Sequence, residues 1–231
     1  MKRAILHLGT HKTGTTSIQH FLRDHLGEPA YPIWPGPEAN HSALAHAMAR
    51  PGRLVDRFSR SYADVIAAIP DKVREDLERV DDLVVLSGEA LSLLRYEDEI
   101  ERVAAFFDDF ALEVVMYTRR PEDFLRAYLL TIRLLGSQQS DDPDSIHYIE
   151  PDSWLVDCSE RLDIWGRYSQ VTHIDFDEVV ARDGSVIPSF AALVGLEPVE
   201  YRMNVTADLR AQIRDALRRD QQHLAPRSPQ P

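Results

Sequence analysis

The chain has 231 residues, 44% hydrophobic and 28% charged, the make-up of a globular protein with a real core, which excludes wholesale disorder. With 26 Lys and Arg against 38 Asp and Glu the net charge is −12, so no general electrostatic footprint for nucleic acid exists, and any anionic ligand must be held by a local device. A single cysteine, Cys158, excludes an intramolecular disulfide and a cysteine-rich zinc site, and no run approaches the ~18 apolar residues that span a bilayer.

The opening run Ala4 to Leu8 ends in Gly-Thr and reads as a buried strand; His7 and Gly9 break it too early for a secretion leader, so a cytoplasmic protein with no membrane partner is expected. Ile18, Phe21, Leu22 and Leu26 follow at helical spacing. Four prolines between 29 and 37 predict an extended or looped segment, and short helices are predicted over 41–49 and 61–80, the second broken near Pro70. Leu83 to Ser87 is a second strand, followed by a helix near 96–109 with Ile100, Val103, Phe106 and Phe107 inward. Leu112 to Tyr117 is a third strand. Pro121 with Glu122 and Asp123 starts a helix of roughly 121–135.

Residues 136–152, rich in Ser, Gln and Asp, predict a mobile surface loop. A helix near 153–168, a strand at 171–175, a short helix near 188–195 and a last helix at 206–224 complete one domain over 1–224. Residues 225–231 read as a disordered tail. Strands alternating with helices imply an α/β fold of three layers, α/β/α, around a central parallel sheet. Ligands of such sheets bind at the carboxyl ends of the strands.

At the first of those ends stands Gly9-Thr10-His11-Lys12-Thr13-Gly14-Thr15-Thr16-Ser17. Gly9 and Gly14 have the spacing of the nucleotide P-loop, and Thr16 fills its hydroxyl position. The lysine departs: Thr15 stands in its place and Lys12 has moved inside the loop. Backbone amides at Gly14 to Ser17 still make an anion cradle at a helix start. A lysine inside the loop suits the bridging oxygen of a short anhydride better than the outer phosphates of a triphosphate.

These residues resemble the phosphosulfate-binding loop of sulfotransferases that use 3′-phosphoadenosine 5′-phosphosulfate (PAPS), most closely the bacterial members carrying Lys-Thr-Gly-Thr-Thr-Ser. The resemblance implies a P-loop-like sulfotransferase fold with PAPS as cofactor and no metal. It makes Lys12 the catalytic lysine and Thr13, Gly14, Thr15, Thr16 and Ser17 the phosphosulfate ligands, with His11 in the same loop. A second family element, a strand followed by Arg-x-Pro, is matched by Val114 to Pro121 and implies that Arg119 holds the 3′-phosphate. The family's serine eight residues after that arginine falls on Ala127, a departure that implies either weaker PAPS binding or a substitute donor such as Arg120 or Arg126.

Sulfuryl transfer to an alcohol needs a base within hydrogen-bond reach. Two residues qualify: Glu89, after the second strand, where related bacterial sequences often carry Ser-x-Glu, and His41, after the proline-rich segment. The activity so implied is sulfuryl transfer from PAPS to a hydroxyl or amine of a small-molecule or carbohydrate acceptor, with Tyr31, Tyr148 and Trp154 as candidate stacking surfaces. The alternatives are a P-loop nucleotide kinase or nucleoside triphosphatase, which leaves the missing lysine at 15 unexplained, and a non-catalytic nucleotide-binding relative.

Overall fold

The structure is a computed structural model that describes residues 1–34, 40–54, 62–134 and 136–197. The expected helix at 206–224 and the tail lie outside the described residues, as do Pro35 and Pro37.

Four strands form one parallel sheet: β1 (Lys2–Gly9), β2 (Leu83–Ser87), β3 (Phe110–Thr118) and β4 (Gln170–Asp175), in the order β2-β1-β3-β4. The apolar runs become strands because both faces of the sheet are covered, so alternation of polar and apolar residues is not needed. Ala4, Leu6, Leu8, Val84, Leu86, Val114 and Met116 face one core. Helices α2 (Ser42–Met48), α3 (Ala63–Glu78), α4 (Glu97–Ala104), α5 (Pro121–Leu134) and α6 (Ser159–Trp165) contribute to it. Ile5, Val85, Val115 and Tyr117 face the other core, built with α1 (Thr15–His25), α7 (Phe176–Asp183) and α8 (Ile187–Val194). The result is the expected three-layer architecture. No helix among the described residues is long and apolar enough to cross a membrane.

Several boundaries differ from expectation. Helix α3 runs through Pro70 without a break. Proline in a helix interior costs about 3 kcal/mol, but Ile69, Val73 and Leu77 are buried on the core and hold the turns on either side. The helix expected near 153–168 starts only at Ser159, because the Arg161 guanidinium takes the carbonyls of Leu155 and Asp157. Segment 136–152 is not simply a surface loop: Ile146 and Ile149 are buried in the core and anchor it. Helix α7 was not expected at all.

All four strands end at the same edge. The loop 10–14 follows β1, a short 3-10 turn Glu89–Leu93 follows β2, Arg119 follows β3, and Asp175 to Asp177 follow β4. That edge positions the site.

Candidate active site

Loop 10–14 is tied down from inside. The Thr10 amide and hydroxyl both donate to the Tyr117 carbonyl at 3.0 Å, and the Thr13 hydroxyl donates to the Thr10 carbonyl at 2.6 Å. Thr13 is therefore a strut whose hydroxyl is already engaged. Gly14 takes a left-handed conformation (φ 79°) at the start of α1, which a side chain would strain. Lys12 also has positive φ (68°), alone among the described non-glycine residues. Holding a side-chain-bearing residue there costs about 1–2 kcal/mol, a strain that the ties on both flanks sustain.

The first intrahelical bond of α1 runs from the Ile18 amide to the Gly14 carbonyl at 3.2 Å. The amides of Thr15, Thr16 and Ser17 have no partner within the helix, and the positive end of its dipole adds to them. Thr16 is exposed and Ser17 half-buried. Thr15 Oγ1 is buried with no hydrogen-bond partner among the described residues, as is His7 Nε2. Both converge on Gly9: a Cβ there would lie 2.2 Å from Thr15 Oγ1, 3.1 Å from Thr13 Oγ1 and 3.2 Å from His7 Nε2. Glycine at position 9 is what lets these polar atoms share one small volume. His7 donates to or accepts from the Ser87 hydroxyl through Nδ1 at 2.8 Å, and burial holds its pKa down at about 3, so it stays neutral.

Glu89 opens the turn after β2. Its Oε2 lies 3.7 Å from His11 Nε2, and a third of its side chain remains open. The surrounding protein raises its carboxyl to about 7, partly countered by the positive charge of Lys12. Arg95 does not pair with it; Arg95 goes to Asp144 at 3.2 Å. His11 is packed against Tyr128 of α5, ring centroids 4.6 Å apart, and Tyr128 stacks on Phe124.

Arg119 leaves the end of β3 and donates through Nη1 to the Lys12 carbonyl at 3.2 Å. Its Nη2 lies 3.6 Å from Asp177 Oδ1, its Cζ sits 5.2 Å from the Phe176 ring centroid, and its Nε is buried with no partner among the described residues. Asp177 also accepts the Arg120 amide at 2.9 Å. Arg120 itself is exposed and pairs with Asp123 at 2.8 Å. Ala127 lies on α5 with its carbonyl accepting the Thr131 hydroxyl, and Arg126 is exposed on the same helix. Asp177 and Phe176 escaped the sequence reading because α7 did. The signal was present: Asp175 caps the Asp177 and Glu178 amides, and Gly184 ends the helix.

His41 is a correction. It is 1% exposed, its Nδ1 accepts the Ser87 amide at 2.9 Å, and its Nε2 donates to the Pro32 carbonyl at 2.9 Å. Burial lowers its pKa to about 4. With both nitrogens engaged it has neither lone pair nor proton to exchange with a substrate. It pins the segment beside the β2 edge instead. Tyr31, 1% exposed, offers no stacking surface either. Among the described residues no group of three or more His, Cys, Asp or Glu is placed to hold a metal ion.

The strand ends thus bring together His11, Lys12, the α1 start, Glu89 and Arg119. The arrangement combines a helix-start anion cradle, two cations, and a carboxyl held near neutrality.

No family model matches the chain, and no curated protein matches it. Among solved structures it is similar to a sulfotransferase from Alicyclobacillus acidocaldarius, with a TM-score of 0.56 and 18% identity over 95% of this chain and 93% of that one. It is also similar to the sulfotransferase domain from the curacin biosynthetic pathway (TM-score 0.49, 12% identity, 87% and 76% covered). A third similarity is to the PezAT chromosomal toxin–antitoxin system of Streptococcus pneumoniae (TM-score 0.43, 15% identity, 94% and 87% covered). The first shows a sulfotransferase-like α/β fold; the other two superpose too loosely to carry an argument.

Proposed function

We propose that the protein is a PAPS-dependent sulfotransferase acting on a hydroxyl or amine of a small-molecule or carbohydrate acceptor. The observation that carries this reading is Lys12, held at positive φ in the loop before α1, with its charge acting on the Glu89 carboxyl. The orphaned polar atoms and the Gly9 cradle fit a phosphosulfate group.

Bound PAPS supplies the sulfuryl group, whose bond to the bridging oxygen breaks as a bond to the acceptor oxygen forms, leaving adenosine 3′,5′-bisphosphate. The Lys12 ammonium and the amides of Thr15, Thr16 and Ser17 offset negative charge gathering at the bridging oxygen. Arg119, anchored to the Lys12 carbonyl and beside Asp177, would hold the 3′-phosphate of bound PAPS. Glu89 takes the acceptor proton; a carboxyl near 7 is matched to that task at neutral pH. His11, braced by Tyr128, flanks the Glu89 carboxyl.

The nucleotide-kinase alternative has less support. The residue at the P-loop lysine position is Thr15, whose hydroxyl is buried at Gly9. The non-catalytic alternative leaves the raised Glu89 carboxyl without a use. The test is transfer of labelled sulfate from PAPS to a panel of sugars, phenols and amines. Transfer by the native chain and its loss in Lys12→Ala support the reading; undiminished transfer in the variant removes it.

A further inference from the structure

On the far side of the Glu89–Leu93 turn, three guanidinium groups surround one indole. The Cζ atoms of Arg95, Arg161 and Arg53 lie 4.8, 5.2 and 5.9 Å from the Trp154 ring centroid. Two have carboxylate partners: Arg53 binds the buried Glu99 at 2.6 Å, and Arg95 the largely exposed Asp144 at 3.2 Å. Arg161 is 3% exposed and, among the described residues, has no carboxylate within ion-pair distance; its Nη atoms go to the carbonyls of Ser92, Leu155 and Asp157.

Four donors of this cluster are buried with no acceptor among the described residues: Arg53 Nη1, Arg95 Nη1, Arg161 Nε and Trp154 Nε1. A buried charge without a counter-ion is expensive, and buried N–H groups without acceptors add to the cost. In a chain with a net charge of −12, such a concentration of cations and idle donors marks an anion. Burial, with a smaller contribution from the neighbouring Arg95 and Arg53 guanidiniums, lowers the Arg161 pKa to about 10.

The cluster is coupled to the proposed catalytic carboxyl by the turn itself. Arg161 and Arg53 hold the carbonyls of Ser92 and Leu93, and the Ser92 hydroxyl donates to the Glu89 carbonyl at 2.7 Å.

We infer that Arg53, Arg95, Arg161 and Trp154 form an oxyanion subsite for the acceptor, which carries a carboxylate, sulfate or phosphate group besides the hydroxyl presented to Glu89. Asp144, on the exposed loop, occupies the Arg95 end of this subsite and exchanges with the incoming anion. The inference deepens the sulfotransferase reading by naming the acceptor class.

The test uses the full chain carrying Lys12→Ala and Arg119→Ala, which removes the donor site and makes the result independent of PAPS binding. Its thermal midpoint is followed against sodium sulfate, phosphate and acetate, with sodium chloride at matched ionic strength. A rise beyond chloride is expected, with Arg161→Gln or Arg95→Gln weakening the anion about tenfold, the equivalent of one charge-assisted hydrogen bond. Asp144→Asn, by removing the competitor, strengthens it. Whether acetate or the tetrahedral anions act at lower concentration separates a carboxylate acceptor from a sulfated or phosphorylated one. Arg95→Gln, at a partly open site, serves if Arg161→Gln does not fold. No rise beyond chloride, or a rise unchanged in the variants, overturns the inference while leaving the donor site untouched.

Discussion

Glu89 Oε2 and His11 Nε2 face each other at 3.7 Å across the carboxyl edge of the sheet, with the Lys12 charge acting on the same carboxyl. One side chain comes from the loop after β1 and the other from the turn after β2, so the parallel pairing of those strands sets their separation. His7 and Ser87 are direct register partners one step earlier.

Glu89 as the base predicts a rising limb in the pH profile of kcat/KM, centred near pH 7, the value to which its surroundings raise it. Glu89→Gln lowers kcat by about 10²–10⁴ and removes the limb. A limb that persists in Glu89→Gln assigns it to another group.

Stability should fall from pH 7 to pH 5. His41 and His7 are held neutral by burial, with pKa values lowered to about 4 and about 3. A pKa lowered by folding gives stability that is full above the unfolded value of 6.5 and lost as pH falls toward the folded one. At pH 5 each histidine thus costs about 2 kcal/mol. Glu89 has the opposite sign, since its pKa is raised by folding. With a third of its surface open to screening solvent, it returns on the order of 1 kcal/mol over the same range. Urea unfolding at the two pH values measures the sum, and equal stability contradicts it.

Arg119→Ala should weaken adenosine 3′,5′-bisphosphate by roughly 10–100-fold while leaving adenosine 5′-monophosphate little changed, the loss expected of charge-assisted bonds to one phosphate. Asp177→Asn, which frees the guanidinium from its 3.6 Å partner, changes the same affinity and not that of the monophosphate. Equal losses for both nucleotides contradict a 3′-phosphate role.

Ala127→Ser places a hydroxyl at the position where the sulfotransferases that the loop resembles carry serine. A hydroxyl donating to an ionised phosphate makes a charge-assisted bond, and about 1.5 kcal/mol makes the bisphosphate roughly tenfold tighter. Calorimetry reads the change; no gain means that α5 does not present this residue to the ligand.

The strands were legible because a parallel sheet buried on both faces demands continuous apolar runs, and Ala4 to Leu8 and Leu83 to Ser87 supply them. Lys12 and Glu89 were legible because strand ends share one edge. What escaped was set by tertiary contacts. Pro70 signals a break that the packing of Ile69, Val73 and Leu77 overrides. His41 looked available until the Ser87 amide and Pro32 carbonyl took its nitrogens. Arg53, Arg95 and Arg161 lie far apart in the chain, and their gathering around Trp154 has no sequence signal.

The central claim is that the loop after β1 grips a 3′-phosphorylated phosphosulfate nucleotide with Lys12 at its bridging oxygen. Calorimetry of the native chain and Lys12→Ala with adenosine 3′,5′-bisphosphate and, separately, with ATP and magnesium tests it most directly. The account predicts magnesium-independent binding of the bisphosphate, weakened in the variant, and little affinity for ATP. Tight magnesium-dependent ATP binding, with the bisphosphate ignored, would contradict it.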